Sequence, residues 1–339
     1  IMSDLKGILA KLSEGKDLTK EEAMYTQNMI LTGQATEAQI ACILTALKMK
    51  GETLDEITGF AAVLRDKANT ISPDVDNYVD LVGTGGDCTY SFNISTTSAF
   101  VVAASGLPVA KHGNRSISSK SGAGDVLEAL GVNIAADPDV VKKCVEEVGI
   151  GFMFAPHFNP AMKYVGKVRK DLGFRTIFNI LGPLSNPSRA KAMVVGVYTS
   201  KLTDVIAKAM MNIGVERAFV VSGCDNMDEI TLTGSTTISE IKDGRVNTFT
   251  VTPEQFGFKR CGLDELQGGD GTVNAGITKD ILSGKEKGAK RDIVLLNAGA
   301  TLYVGGMADS IQAGIRLAQE TIDSGKALKT LEALVNASN

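Results

Sequence analysis

The hydrophobic pattern of this chain changes period once, near residue 77. Before that point apolar residues recur at three- and four-residue intervals, most clearly at Ile40, Ile43, Leu44 and Leu47, which is the spacing of a half-buried helix. Thr19 with Glu22, Thr36 with Gln39 and Thr53 with Glu56 each have the spacing of a capping box. Gly33 and Gly51 fall where helix C-termini would lie. These signals predict four helices and no strand. From Asn77 onward short apolar runs appear at Tyr78–Val82, Leu107–Ala110, Ile150–Phe154, Ala192–Val197 and Ala218–Ser222. Helical stretches such as Val140–Val148 and Leu202–Ile213 separate them, and that alternation predicts a mostly parallel sheet covered on both faces. The expected architecture is α/β. A small N-terminal all-helical domain over 1–75 precedes a larger α/β domain over 76–339 with a mostly parallel central sheet.

Three later segments refine this outline. Ile238, Ile241, Val246, Phe249 and Val251 alternate with polar residues around Asp243-Gly244, as an antiparallel hairpin would. Gly268-Gly269-Asp270-Gly271 has no clear strand before it and no basic residue beside it, so it reads as a flexible connection. Ile293–Ala300 and Ala308–Ser324 read as two closing apolar helices. The run from His157 to Pro187 breaks the alternation, with Lys163, Lys167, Arg169 and Lys170 on a helix and Gly182, Pro183 and Pro187 stiffening the chain beyond it. On pattern alone it is either a surface loop or a return to the helical domain.

Composition narrows the function classes. The chain has 339 residues, 44% hydrophobic and 22% charged, enough for two domains with a sizeable core. A net charge of −4 gives no general attraction for nucleic acid, and none is expected as a partner. No apolar run reaches the roughly 18 residues needed to span a bilayer, so no membrane association and a cytoplasmic location are expected. Cys42, Cys88, Cys144, Cys224 and Cys261 form no C-x-x-C pair, and His112 and His157 are the two histidines. A structural zinc site is not indicated.

The chemistry-bearing residues concentrate between Asp80 and Gly131. Gly83-Thr84-Gly85-Gly86-Asp87 follows a strand run, and Asn93-Ile94-Ser95-Thr96 leads into an apolar helix. Glycine backbones and a helix N-terminus together make an anion site. A second loop carries Lys111, His112, Asn114, Arg115 and Lys120 among serines, which suits either a polyanion or a solvated turn. Neither loop has the spacing of a Walker A or dinucleotide motif. The run Gly223 to Glu229 also leaves a strand, and ligands on such sheets bind beyond the carboxyl ends of strands. Its Asp228-Glu229 pair is a solvated turn or a metal site.

These runs, with Lys111-His112-Gly113-Asn114-Arg115 and Ser121 through Gly131, closely resemble the anthranilate phosphoribosyltransferase family. The resemblance implies transfer of phosphoribose from phosphoribosyl pyrophosphate to anthranilate. It implies a donor site at Gly83, Gly86, Asp87, Ser91, Asn93, Ile94, Ser95, Thr96, Lys111 and Ser119, and an anthranilate site at Gly83, Asn114 and Arg169. It further implies magnesium, as two ions, at Ser95, Asp228 and Glu229, and no covalent nucleophile or general base. A homodimer through the helical domain, that domain being completed by about 163–187, is also implied; a lid packed only within its own chain is the alternative. The related pyrimidine nucleoside phosphorylases carry Lys-His-Ser-Thr where this chain has Lys111-His112-Gly113-Asn114. Ala123 stands where family members have Ser or Ala, and no hydrogen-bonding role is expected of it.

Overall fold

The computed structural model describes residues 4–116 and 120–339. Four helices open the chain, α1 (Leu5–Ser13), α2 (Lys20–Leu31), α3 (Glu37–Lys50) and α4 (Leu54–Asp66). All three capping boxes form, with Thr19, Thr36 and Thr53 accepting from the backbone N–H three residues on, each contributing about 1 kcal/mol. The Glu56 box does more than start a helix. Its fully buried carboxylate also accepts from the Leu18 N–H at 2.8 Å and from Lys50 Nζ at 2.7 Å, joining three elements through one group.

The sheet has the order β3-β2-β1-β4-β5-β6-β7. Its strands are β1 (Val79–Gly83), β2 (Val109–Gly113), β3 (Ile150–Phe154), β4 (Ala192–Gly196), β5 (Arg217–Gly223), β6 (Thr236–Lys242) and β7 (Arg245–Val251). The first five are mutually parallel, while β6 and β7 run antiparallel. Asp243 and Gly244 both have positive φ, 52° and 71°, the conformation that a tight hairpin turn requires. The chain winds outward from β1 in both directions, so strand order reverses between β1 and β4. A crevice forms beyond the strand ends at such a reversal.

Helices α5 (Ile94–Ala104), α6 (Ala123–Ala129), α7 (Pro138–Lys143), α8 (Ala155–Phe158), α9 (Lys163–Leu172), α10 (Phe178–Leu181) and α11 (Thr203–Asn212) lie between strands. The last four are α12 (Gly271–Leu282), α13 (Ala289–Val304), α14 (Ile311–Asp323) and α15 (Lys326–Ser338). One buried cluster joins α5, α13, α14 and α15 to one face of the sheet. A second combines α1–α4 with Val165, Val168, Ile177, Phe178 and Leu181, then continues into Val195, Ala207 and Met210, and a smaller third one gathers Ile71, Ala110, Val145, Met153 and Phe158. Phe178 meets Phe60 of α4 edge-to-face at 6.4 Å.

Three expectations need correction. Strand β2 runs on past Ala110 to Gly113 and pairs Lys111 with Phe152 and His112 with Met153. These two side chains therefore belong to a covered sheet and not to the loop. The 268–271 segment is an ordered clamp: Asp270 accepts from the Val273 N–H to start α12, Gly268 donates to the Tyr90 carbonyl, and Gln267 pairs with Ser91. Finally, the C-terminal region has more helix than expected, since Gly325 at φ 82° separates α14 from a further helix, α15.

Below the crevice a buried polar network fixes the segment after α10 to the sheet. Asn186 Nδ2 donates to Asp80 Oδ2 at 2.6 Å and to the Ala110 carbonyl at 3.0 Å. Asn186 Oδ1 accepts from the Ser188 N–H and hydroxyl, and Tyr78 donates to the Ser188 carbonyl. Complete burial pushes the Asp80 carboxyl up to about 6 despite the Lys111 ammonium facing it. A carboxyl whose pKa is raised on folding favours the native state below its unfolded pKa, and that contribution is lost as pH rises through the folded value. Asp80→Asn removes this titration. Urea unfolding should show the variant gaining about 3 kcal/mol on wild type between pH 4 and pH 7; a pH-independent difference would mean that Asp80 titrates normally.

Candidate active site

The glycine loop after β1 is shaped by the loop after β5. A Cβ on Gly83 would lie 2.2 Å from Asp228 Oδ2, and one on Gly196, at the end of β4, would lie 1.6 Å from the Asp228 carbonyl oxygen. Only glycine allows that approach. Gly85 and Gly86 take φ of 68° and 65°, and the Gly85 N–H donates to Asp228 Oδ2 at 2.8 Å. Asp87 accepts from the Thr89 N–H at 3.1 Å, the Thr89 hydroxyl at 2.8 Å and the Asp228 N–H at 3.3 Å. Glu229 Oε1 accepts from the Ser95 N–H at 3.0 Å, so this carboxylate sits at the N-terminal end of α5, where the helix dipole favours an anion. Ile94 begins that helix, and Thr96 is buried in its first turn.

Three carboxylates thus gather at the mouth of β1. Burial, followed by the charge of Asp87, pushes the Asp228 carboxyl up to about 7. Burial and then Asp228 raise Glu229 well above the ordinary carboxylate range. Lys111 lies beneath them, 2% exposed, with its ammonium donating to the Leu81 carbonyl. Burial lowers its pKa while Asp80, Glu229 and Asp228 oppose that effect. Like charges held this close call for a cation. Among the described residues no group of three or more His, Cys, Asp or Glu is arranged to hold a metal unaided, and magnesium commonly completes its shell with substrate phosphates and water. The donor set fits that ion.

The second loop is tied down from two sides. Asn93 Nδ2 donates to the Ser121 carbonyl at 3.2 Å, and Asn93 Oδ1 accepts from the Ser121 hydroxyl at 3.1 Å and from Asn274 Nδ2 at 2.8 Å. The side chain of Asn93 therefore links the two loops. Arg115 forms a two-pronged pair with Glu128 at 2.7 and 2.9 Å, and Asp125 accepts from the Ser116 and Gly122 N–H groups. Asn114 Oδ1 accepts from the Arg115 N–H, and its carbonyl accepts from Gly124. Ser91 is held by its pairing with Gln267. Ser119 lies outside the described residues.

Arg169 projects from α9, with its guanidinium 5.7 Å from the Phe178 ring centre. Burial lowers its pKa, and no carboxylate among the described residues forms an ion pair with it. His112 is neutral: burial drives it down to about 4, one ring nitrogen meets Asn159 Nδ2 at 3.1 Å, and the ring also bonds to the Gly182 backbone. It braces the fold. Sequence reasoning missed Gly196, although a glycine closing a buried strand is a signal of close backbone approach. It also gave no role to Asn274 and Asn297, whose loop partners Asn93 and Ile230 are distant in sequence.

The chain matches the glycosyl transferase family a/b domain over residues 75–328 and the helical bundle domain of that family over residues 6–68. The anthranilate phosphoribosyltransferase of Acetivibrio thermocellus is 54% identical over 335 residues, covering 99% of this chain and 97% of the relative. The crystal structure of the Thermus thermophilus anthranilate phosphoribosyltransferase is similar at a TM-score of 0.93 and 40% identity, covering 97% of this chain and 98% of that one. The Saccharomyces cerevisiae enzyme, solved in complex with PRPP and Mg, gives a TM-score of 0.91 at 29% identity and covers 99% of each chain. Near full-length agreement in sequence and in fold, on both domains, places this chain in the anthranilate phosphoribosyltransferase family.

Proposed function

We propose that this protein transfers the 5-phosphoribosyl group of phosphoribosyl pyrophosphate to the amine of anthranilate, giving N-(5-phosphoribosyl)anthranilate and pyrophosphate in tryptophan biosynthesis. The observation that carries the reading is the Asp228-Glu229 pair laid across a glycine loop and a helix N-terminus, in a chain of this family. Gly83, Gly86, Asp87, Ser91, Asn93, Ile94, Ser95, Thr96 and Ser119 form the donor site, largely through backbone N–H groups and hydroxyls. Lys111 serves that site from below as the counter-charge to its acids. Asn93 sets the spacing of the two loops. Asp228, Glu229 and Ser95 would hold magnesium, as two ions with the donor's oxygens. When bound, magnesium neutralises charge on the departing pyrophosphate.

Gly83, Asn114 and Arg169 face the acceptor. A guanidinium without a carboxylate partner is suited to the planar carboxylate of anthranilate. The aromatic amine is neutral near pH 7 and attacks without a base, which agrees with a neutral, buried His112. Catalysis then consists of positioning and of stabilising the leaving group.

The helical domain, α1–α4 completed by 163–187, is proposed as the homodimer contact. Helix α3 buries one face within the chain, with Ala41 and Ala46 partly buried at its margins, yet Ala38, Cys42, Thr45 and Met49 on its outward side are also small or apolar, with Met49 83% exposed. A helix apolar all round is normally covered on both sides. No helix among the described residues is long and apolar enough to cross a membrane, and we place the enzyme in the cytoplasm.

The activity is tested by the loss of anthranilate fluorescence with phosphoribosyl pyrophosphate and magnesium; phosphorolysis of thymidine at a comparable rate would sink this assignment. Arg169→Ala should raise the KM for anthranilate, with a loss in kcat/KM of about 2–3 kcal/mol, while the KM for the donor stays put. A raised donor KM alone would reassign Arg169. Cys42→Arg, at an exposed position of α3, should convert a dimer into a folded monomer by light scattering at micromolar concentration, and a wild-type monomer under the same conditions would remove the dimer reading.

A further inference from the structure

The loop carrying Asp228 and Glu229 has no strand partner at the point where it turns back toward β6. Ile230, the residue after Glu229, is 1% exposed, and a buried backbone N–H and C=O left without partners are costly. Those partners come from a single side chain. Asn297, 1% exposed in the middle of α13, accepts from the Ile230 N–H through Oδ1 at 2.9 Å. Its Nδ2 donates to the Ile230 carbonyl at 3.0 Å and to the Ile293 carbonyl at 2.9 Å. The amide thus stands in for an adjacent strand and holds both peptide planes that flank Ile230, the first of which carries the Glu229 carbonyl.

Upstream, the Gly223 N–H donates to the Met227 carbonyl at 2.9 Å, and Asp225 accepts from the Met227 N–H at 3.1 Å. Met227 and Ile230 are both buried in the main core. The two acids are therefore a two-residue span fixed at either end, with Asn297 supplying the downstream fixation. Among the described residues no other side chain bonds to the Ile230 backbone.

We propose that Asn297 is a positioning residue for the Asp228-Glu229 metal site, setting the direction in which Glu229 presents its carboxylate. The inference rests on the reading of those two acids as metal ligands. Outer residues that orient ligands typically account for 10- to 100-fold in metal affinity. Asn297→Leu keeps the branched outline of the side chain and loses both hydrogen bonds to Ile230, whereas Asn297→Asp keeps the acceptor for the Ile230 N–H and loses the donor.

The test is electron paramagnetic resonance titration of free Mn2+ with purified full-length protein and inorganic pyrophosphate, using wild type, Asn297→Leu, Asn297→Asp and the double variant Asp228→Ala/Glu229→Ala. The expected result is a Mn2+ dissociation constant raised at least ~10-fold in Asn297→Leu, a smaller rise in Asn297→Asp, near-native circular dichroism, and an activity loss that excess magnesium partly restores at unchanged anthranilate KM. Wild-type Mn2+ affinity in a folded Asn297→Leu, with binding lost in the double variant, would overturn the role of Asn297 alone. Wild-type affinity in the double variant would instead overturn the metal reading and this inference together. If Asn297→Leu does not fold, Asn297→Asp decides: an unchanged Mn2+ constant there defeats the proposal.

Discussion

The site depends on a backbone contact that tolerates no side chain. The loop leaving β5 must cross the end of β4 to bring its acids over β1, and it crosses so low that the Asp228 carbonyl occupies the space of a Cβ on Gly196. The same descent sets Asp228 Oδ2 against Gly83. Strand order makes the crossing possible, because β4 lies beside β1 only where the winding of the sheet reverses. A larger residue at either glycine would lift the loop, and with it the hydrogen bonds from Gly85 to Asp228 and from Ser95 to Glu229.

That closeness has an electrostatic consequence. Asp80, Asp228 and Glu229 surround one buried ammonium, Lys111, with Asp87 beside the two loop acids, and the protein alone answers by raising the pKa values of Asp80, Asp228 and Glu229. Loop N–H groups and the α5 N-terminus attract an anion, while the acids would repel it. The two tendencies are reconciled when a divalent cation lies between carboxylates and phosphates, and each partner then lowers the cost of holding the other. On the proposed assignment, such a site would favour the donor as its metal complex over either component alone.

Much of the scaffold is legible directly in the chain. The threonine caps of α2, α3 and α4 and the Asp243-Gly244 turn are local devices, each acting within four residues, and each forms as its spacing requires. The strand cores are visible because burial on both faces leaves continuous apolar runs. Lys111 and His112 read as loop for the opposite reason: a buried polar residue in a strand is indistinguishable from a solvated one when its partners, Leu81, Asn159 and Gly182, lie 30 or more residues away. The 268–271 clamp is hidden likewise, since Gly268 answers to Phe92 and Asn274 and Gly271 to Asp125, partners outside the segment. Motif residues announce the site, whereas Gly196, Asn274 and Asn297 support it through contacts that no local pattern encodes.

The proposed acceptor groups come from both halves of the fold. Arg169 belongs to α9, which packs into the helical cluster, while the glycine loop and the acids ride on the sheet. The chain between them is anchored where Asn186 bonds to Asp80 and where Gly182 meets His112, and both anchors attach to β1 and β2 directly under the crevice. Arg169 and the acids are therefore referred to the same two strands, because the segment that follows α10 is clamped to β1 and β2 beneath them.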